Sequence, residues 1–306
     1  MKYEGKSIFF IGDSITANGL FFKYLRTYFK RAGRDVTIYN KGIPGGTLTI
    51  LHTALDEELR SGKPDFAVIS FGANDSRYWE YNSDTINTPE LTQTIDNQRR
   101  IYAEKMELLV EKLSALGITP ILTSPFAFSH FLSSSENVET VVDAKEKACI
   151  NHKFYNREVF AKINGSLKEY RDFVKNFAEE RGIEFWDNYE ATYSLSDSLD
   201  YASDGIHFSP KGNQLIARLI LGNMLGEELN EFNTDEETEK LAASELEERA
   251  YFFIKYNIMR PTNPNWTPDE LQERVKAWIE RKGNVEGVTK VREEAFYRYI
   301  AKLKKA

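Results

Sequence analysis

Short apolar runs alternate with longer amphipathic stretches through most of this chain. Ile8-Phe9-Phe10-Ile11 is continuously apolar and β-rich, the pattern of a parallel strand covered on both faces. Residues 20–32 follow with Leu20, Tyr24, Leu25, Tyr28 and Phe29 at helical spacing. The alternation predicts further strands at 36–39, 66–71, 118–122 and 183–186, and helices at about 49–60, 88–116 and 166–181. Thr88-Pro89 and Ser209-Pro210 each put a capping hydroxyl before a proline in the first turn, and the second opens the last helix of the core, ending near Gly226. Repeated β-then-α units predict a doubly wound parallel sheet. Residues 126–165, with Ser133-Ser134-Ser135 and scattered aromatics, read as an excursion of loop and short helix able to shape a cleft.

Beyond Gly226 the pattern changes. Residues 227–248 carry ten acids against Lys240, whereas 249–306 carry thirteen bases against seven acids. Three apolar stripes fit amphipathic helices: Leu246, Ala250, Phe253, Ile254; then Leu271, Val275, Trp278, Ile279; then Val288, Val291, Ala295, Phe296, Tyr299, Leu303. The middle one opens on the capping box Thr267-Pro268-Asp269-Glu270. The expected division is a sheet domain at 1–226 and a helical extension at 227–306, packed on the core or on a partner subunit, which would make a homo-oligomer.

Composition narrows the function. The 306 residues are 41% apolar, enough for a full core. With 40 Lys+Arg against 47 Asp+Glu, the net charge of -7 lacks the positive field that nucleic-acid binding needs, and nucleic acid is excluded as an expected partner. Cys149 alone can form neither an internal disulfide nor a cysteine metal cage. The four-residue apolar run at 8–11 is too short for an export signal or a membrane span, so the expected location is cytoplasmic, with no membrane partner.

Candidate chemistry lies at the predicted strand ends. Gly12-Asp13-Ser14 follows the first strand and places a hydroxyl at the carboxyl edge of the sheet, where open α/β sheets bind ligands. Taken alone it reads equally as a strand-to-helix turn capped by Asp13 or Ser14. Asp204-Gly205-Ile206-His207 precedes the last core helix and brings a carboxylate and an imidazole into one loop, the pair a serine needs to become a nucleophile. The competing readings are a loop histidine with a chance neighbour, or metal ligands; His52, His130 and His152 show no metal spacing, and no metal or other cofactor is expected. Residues 40–47 and Gly72-Ala73-Asn74-Asp75 follow the second and third strands, where backbone N–H groups and an asparagine amide can face a developing oxyanion, though each singly is an ordinary turn.

Four blocks in this order resemble the SGNH hydrolases, also called the GDSL-type lipase/esterase family. The resemblance rests on Gly12-Asp13-Ser14, Asn40-x-Gly42-x-x-Gly45, Gly72-x-Asn74-Asp75 and Asp204-x-x-His207, and it covers about residues 5–225. It implies Ser14 as nucleophile, His207 as base and Asp204 as its orienting carboxylate. It also implies an oxyanion hole from the Ser14 and Gly45 backbone N–H groups and the Asn74 amide. Pro44 and Gly46 depart from the usual pattern of the second block, and Gly45 is preferred as donor because it holds the motif position. Asp13, Arg77, Tyr78 and Trp79 are candidate substrate contacts, with aromatic packing as the alternative for the last three.

The expectation is an α/β protein with a flavodoxin-like three-layer α/β/α architecture, a five-stranded parallel sheet and a helical C-terminal extension. It would hydrolyse a small-molecule ester, an acetyl ester of a sugar or small alcohol, through an acyl-enzyme on Ser14. The alternatives are an acyltransferase with the same triad and an inactive small-molecule binding protein, since one fold serves many functions.

Overall fold

The structure, a computed structural model, describes residues 2–59, 62–82, 84–129, 157–195, 202, 205–226 and 267–282, with a few positions between 296 and 305. Five strands form one parallel sheet: β1 (Lys6–Gly12), β2 (Val36–Asn40), β3 (Phe66–Ser70), β4 (Thr119–Thr123) and β5 (Glu184–Trp186). Their order, β2-β1-β3-β4-β5, is that of the flavodoxin-like doubly wound fold. Register is set by pairs such as Ile8 with Ile38 and Ile8 with Phe66, so β1 lies at the centre of three paired strands.

Helices α1 (Ser14–Ala17), α2 (Phe21–Arg31), α3 (Leu48–Leu59), α4 (Pro89–Ala115), α5 (Arg157–Arg181), α6 (Asn188–Tyr193) and α7 (Pro210–Leu225) cover the two faces. Alternation along each strand divides the core. Ile8, Phe10, Val68 and Ile121 join Phe22 and Leu25 of α2 and Ile216 and Ile220 of α7 in one cluster. Phe9, Ile11, Ala67, Ile69 and Leu122 join Leu51 and Leu55 of α3, Met106 and Leu109 of α4, and Val174 and Phe177 of α5 in the other. Three layers result. Thr88 and Ser209 cap α4 and α7 by accepting from Leu91 N–H at 3.3 Å and Gly212 N–H at 3.1 Å, each before a proline. Gly226, in the left-handed conformation at φ 72°, ends α7.

One expected boundary is corrected. Residues 157–165, read as part of an irregular excursion, are the first turns of α5. Asn164-Gly165-Ser166 looks like a helix break, yet Asn164 is buried, accepting from Phe128 N–H at 2.7 Å and donating to Phe128 O at 2.9 Å. That pairing places the polar residue where the helix meets the strand-end loop, and Val159, Phe160 and Ile163 supply the buried stripe around it. Residues 130–156 of the excursion, with His130, Cys149 and His152, lie outside the described residues.

In the tail, α8 (Pro268–Lys282) begins on the expected capping box. Glu270 N–H donates to Thr267 Oγ1 at 3.3 Å, and Thr267 N–H donates to Glu270 Oε2 at 2.8 Å. Leu271 and Val275 of α8 are buried, as are Phe296 and Ile300 further on. Lys304 reaches Gln272 Oε1 at 2.8 Å and Asp269 at 2.6 Å, which joins the end of the chain to α8. The first expected tail helix, with Phe253, lies outside the described residues. Among the described residues, no helix is long and apolar enough to cross a membrane.

Candidate active site

Ser14 is placed by a turn that tolerates nothing larger than glycine before it. A Cβ on Gly12 would sit 2.2 Å from Thr16 Oγ1 and 2.6 Å from Ser70 O, so β1 can hand the chain into α1 at this spot only without a side chain. Asp13 is the N-cap: its Oδ1 accepts from Ile15 N–H at 2.8 Å. It is 3% exposed, and its capping bond is the contact the structure gives it at this turn. Ser14 Oγ then lies 2.8 Å from His207 Nε2, across 193 residues of sequence.

The histidine loop is fixed from several sides. Gly205 adopts φ 85° and is packed against the Phe160 ring, while its carbonyl accepts from Ser129 N–H at 2.8 Å. Phe208 forms an isolated bridge to Ala202 and an edge-to-face contact with Phe126 at 4.9 Å. Asn213, which no motif marks, joins the two halves of the site. Its Oδ1 accepts from Phe21 N–H at 2.9 Å, just after the Ser14 turn, and its Nδ2 donates to Phe208 O at 3.1 Å and Ser209 O at 3.0 Å, just after His207. The only sequence signal for it is an asparagine at a buried position in the first turn of α7. Asp204 lies outside the described residues.

The loop after β2 is closed by a tight turn around its glycines. Ile43-Pro44-Gly45-Gly46 closes through Gly46 N–H to Ile43 O at 2.8 Å, with Gly45 at φ 69°, the pattern of a type II turn with proline then glycine. Gly46 therefore spends its own donor inside the turn, whereas the Gly45 N–H meets no acceptor among the described residues. The loop is tied to the Ser14 turn by Ile43 N–H to Gly12 O at 2.8 Å. A Cβ on Gly42 would lie 2.2 Å from Ala17 N, so the backbones of the two loops touch. From β3, the buried Asn74 donates through Nδ2 to Gly46 O at 3.0 Å. One amide hydrogen is used in that bond, and a primary amide has a second.

Arg77, Tyr78 and Trp79 form a small aromatic ledge. Arg77 has φ 53° and pairs with Glu80, its guanidinium 5.6 Å from the Trp79 ring centre. Tyr78 contacts Trp79 and Phe128 edge-to-face, each at 5.3 Å, while Trp79 is 43% exposed. Tyr78 therefore packs, and Trp79 presents its ring to solvent.

Two buried acids stand behind these loops. Burial pushes the Asp13 carboxyl up to about 6, against the pull of the Ile15 N–H and of His207. Burial likewise pushes Asp75 up to about 7; the Leu48 N–H opposes the shift and Asp13 adds to it.

A serine hydroxyl against an imidazole nitrogen, at the carboxyl edge of a doubly wound sheet and beside the Gly45 turn, is the arrangement from which acyl-hydrolysing enzymes are built. The chain belongs to the GDSL-like lipase/acylhydrolase family, whose model matches residues 8–220. No curated protein matches it in sequence. Among solved structures it is similar to an acetylxylan esterase from Geobacillus stearothermophilus, at 23% identity over 75% of this chain and 99% of that one, with a TM-score of 0.52. It is also similar to a second acetyl xylan esterase, at 17% identity over 72% of this chain and 100% of that one, with a TM-score of 0.53. A gut microbial diltiazem-metabolizing enzyme is similar over 99% of this chain and 95% of its own, at 14% identity and a TM-score of 0.57.

Proposed function

We propose that this chain is a serine ester hydrolase that removes acetyl groups from a sugar or a similar small alcohol through an acyl-enzyme on Ser14. The observation that carries the reading is the 2.8 Å approach of Ser14 Oγ to His207 Nε2. In this mechanism Ser14 Oγ attacks the ester carbonyl while its proton passes to His207 Nε2. The tetrahedral oxyanion is met by the Ser14 and Gly45 backbone N–H groups and by the Asn74 amide. Collapse expels the alcohol, which takes the proton from His207. Water, deprotonated by the same nitrogen, then attacks the acyl carbon and releases the acid, and the proton returns to Ser14 Oγ. Asp204 fills the orienting role toward His207. Support for the acetyl and sugar preference comes from the acetyl xylan esterases whose fold the chain shares.

The test has two arms. Intact-mass analysis after a fluorophosphonate should show one adduct in the wild type and none in Ser14→Ala. A panel of acetylated sugars beside acyl esters of graded chain length should show the highest kcat/KM on acetyl esters. An unlabelled wild type sinks the nucleophile, and a preference for long acyl chains sinks the substrate class.

A further inference from the structure

Asp75 takes no part in the chemistry above, yet it sits between the two arms of the proposed oxyanion hole. Its side chain is 6% exposed. Oδ1 accepts from Leu48 N–H at 3.1 Å, at the start of α3, whereas Oδ2 has no hydrogen-bond partner among the described residues. The backbone carbonyl of Asp75 accepts from Tyr170 Oη at 2.9 Å. Two parallel ties thus cross from the loop after β3 to the loop after β2: Asn74 Nδ2 to Gly46 O, and Leu48 N–H to Asp75 Oδ1. Gly45, whose N–H is the free donor, immediately precedes the residues so tied.

We propose that Asp75 is a positioning residue for the oxyanion hole and performs that role as the neutral acid, so that ionising it switches the site off. This rests on the Ser14 reading above. A buried carboxylate oxygen without a donor is costly, and more so when charged. The backbone N–H groups of Leu48, Asp75 and Gly72 favour the ionised form but are outweighed by burial, and the titratable groups acting on Asp75 supply no compensating charge: Asp13 comes from the β1–α1 turn, Tyr102 from α4 and Tyr170 from α5. Burial holds both tyrosines in their neutral form, and their hydroxyls are committed to Phe71 O at 3.3 Å and Asp75 O at 2.9 Å. His207 acts on Asp13 and is not among the groups acting on Asp75. A neutral Asp75 keeps the Leu48 tie without adding charge beside Asn74. An ionised Asp75 places a second buried negative charge next to the spot where the transition state develops its own, which opposes the stabilisation the hole provides. Since its carboxyl is raised to about 7, the loss sets in at mildly alkaline pH.

The experiment measures kcat and KM for 4-nitrophenyl acetate from pH 5 to 9 in the wild-type chain, Asp75→Asn and Asp75→Ala, with fluorophosphonate labelling of Ser14 in parallel. Asparagine keeps an acceptor for Leu48 N–H and cannot ionise. In the wild type kcat should fall severalfold above about pH 7. Asp75→Asn should stay within about threefold of wild type at pH 6.5 and remain level up to pH 9, and Asp75→Ala should lose at least about tenfold in kcat with KM little changed. An Asn variant that keeps the wild-type alkaline fall, or that is as impaired as Asp75→Ala, overturns the proposal while a labelled Ser14 leaves the nucleophile standing. If Asp75→Ala does not fold, the Asn profile alone decides. An unlabelled wild-type Ser14 overturns both.

Discussion

At the residue scale, the distinction between a mere contact and a catalytic pair lies in which kinetic constant changes. His207→Ala should leave the fold intact and lower kcat by on the order of a thousandfold, measured by steady-state turnover, because the serine loses its proton acceptor. Asn74→Ala should lower kcat by roughly a hundredfold with little effect on KM if its amide meets charge that exists only in the transition state. An effect on KM alone would make Asn74 a binding residue. The acidic side of the pH profile should rise with loss of one proton in the range where imidazoles titrate, about 6 to 7. Asp75 makes a separate prediction about stability. Burial raises its carboxyl to about 7, above the 3.8 of an exposed aspartate, so between those limits the native chain holds a proton that the unfolded chain has released. Stability from this group is therefore greatest below about pH 4 and falls as pH rises toward 7. Replacing Asp75 by Asn removes that loss, and the difference in Tm between Asn and wild type should be larger at pH 8 than at pH 4 by at least about 3 °C. Equal differences at both pH values would show that Asp75 does not carry its proton into the neutral range.

At the element scale, what the sequence discloses and what it hides have different physical sources. The strands were legible because a parallel strand buried on both faces must be apolar without interruption, as Ile8 to Ile11 are, and the last core helix because Ser209-Pro210 and Gly226 punctuate both its ends. The Ser14 turn, the Gly45 turn and the histidine loop were legible because each is marked by a distinctive residue type: no side chain at Gly12, glycine in the left-handed backbone at Gly45 and Gly205, and an imidazole against Ser14. The early turns of α5 were not, because the helix survives Asn164 only through a partner, Phe128, that is distant in sequence. Asn213 was hidden for the same reason, since its value lies in three bonds to backbone groups of two other segments. It clamps the start of α2 to the residues following His207, so Asn213→Ala should destabilise the chain by about 1–3 kcal/mol in denaturant unfolding. It should also slow the labelling of Ser14 by a fluorophosphonate about tenfold, since the Ser14–His207 distance is then less firmly held. Unchanged labelling with reduced stability would make the clamp purely structural.

At the scale of the whole molecule, the open matter is why a sheet domain that already holds Ser14, Gly45, Asn74 and His207 continues for about eighty residues beyond Gly226. The family match ends at residue 220, so the family provides no role for the tail. The likeness to the diltiazem-metabolizing enzyme, in contrast, extends over 99% of this chain. Within the tail, Leu271 and Val275 lie four residues apart on α8, Phe296 and Ile300 repeat that spacing, and all four are buried. Burying side chains of this size is worth about 1.5–3 kcal/mol each, a contribution lost entirely when the segment is removed. Lys304 bonds to Gln272 and Asp269 on the exposed side of α8. We therefore propose that the tail packs as a helical extension on its own sheet domain. A chain ending at Gly226 should be insoluble, or should unfold at a markedly lower temperature in calorimetry, although Ser14, His207, Gly45 and Asn74 all remain. A truncated chain that is soluble, monomeric, as heat-stable as the full chain and equally fast on 4-nitrophenyl acetate would show instead that the tail is a dispensable appendage, and a truncated chain that is stable but has changed from dimer to monomer would place its apolar stripes between subunits.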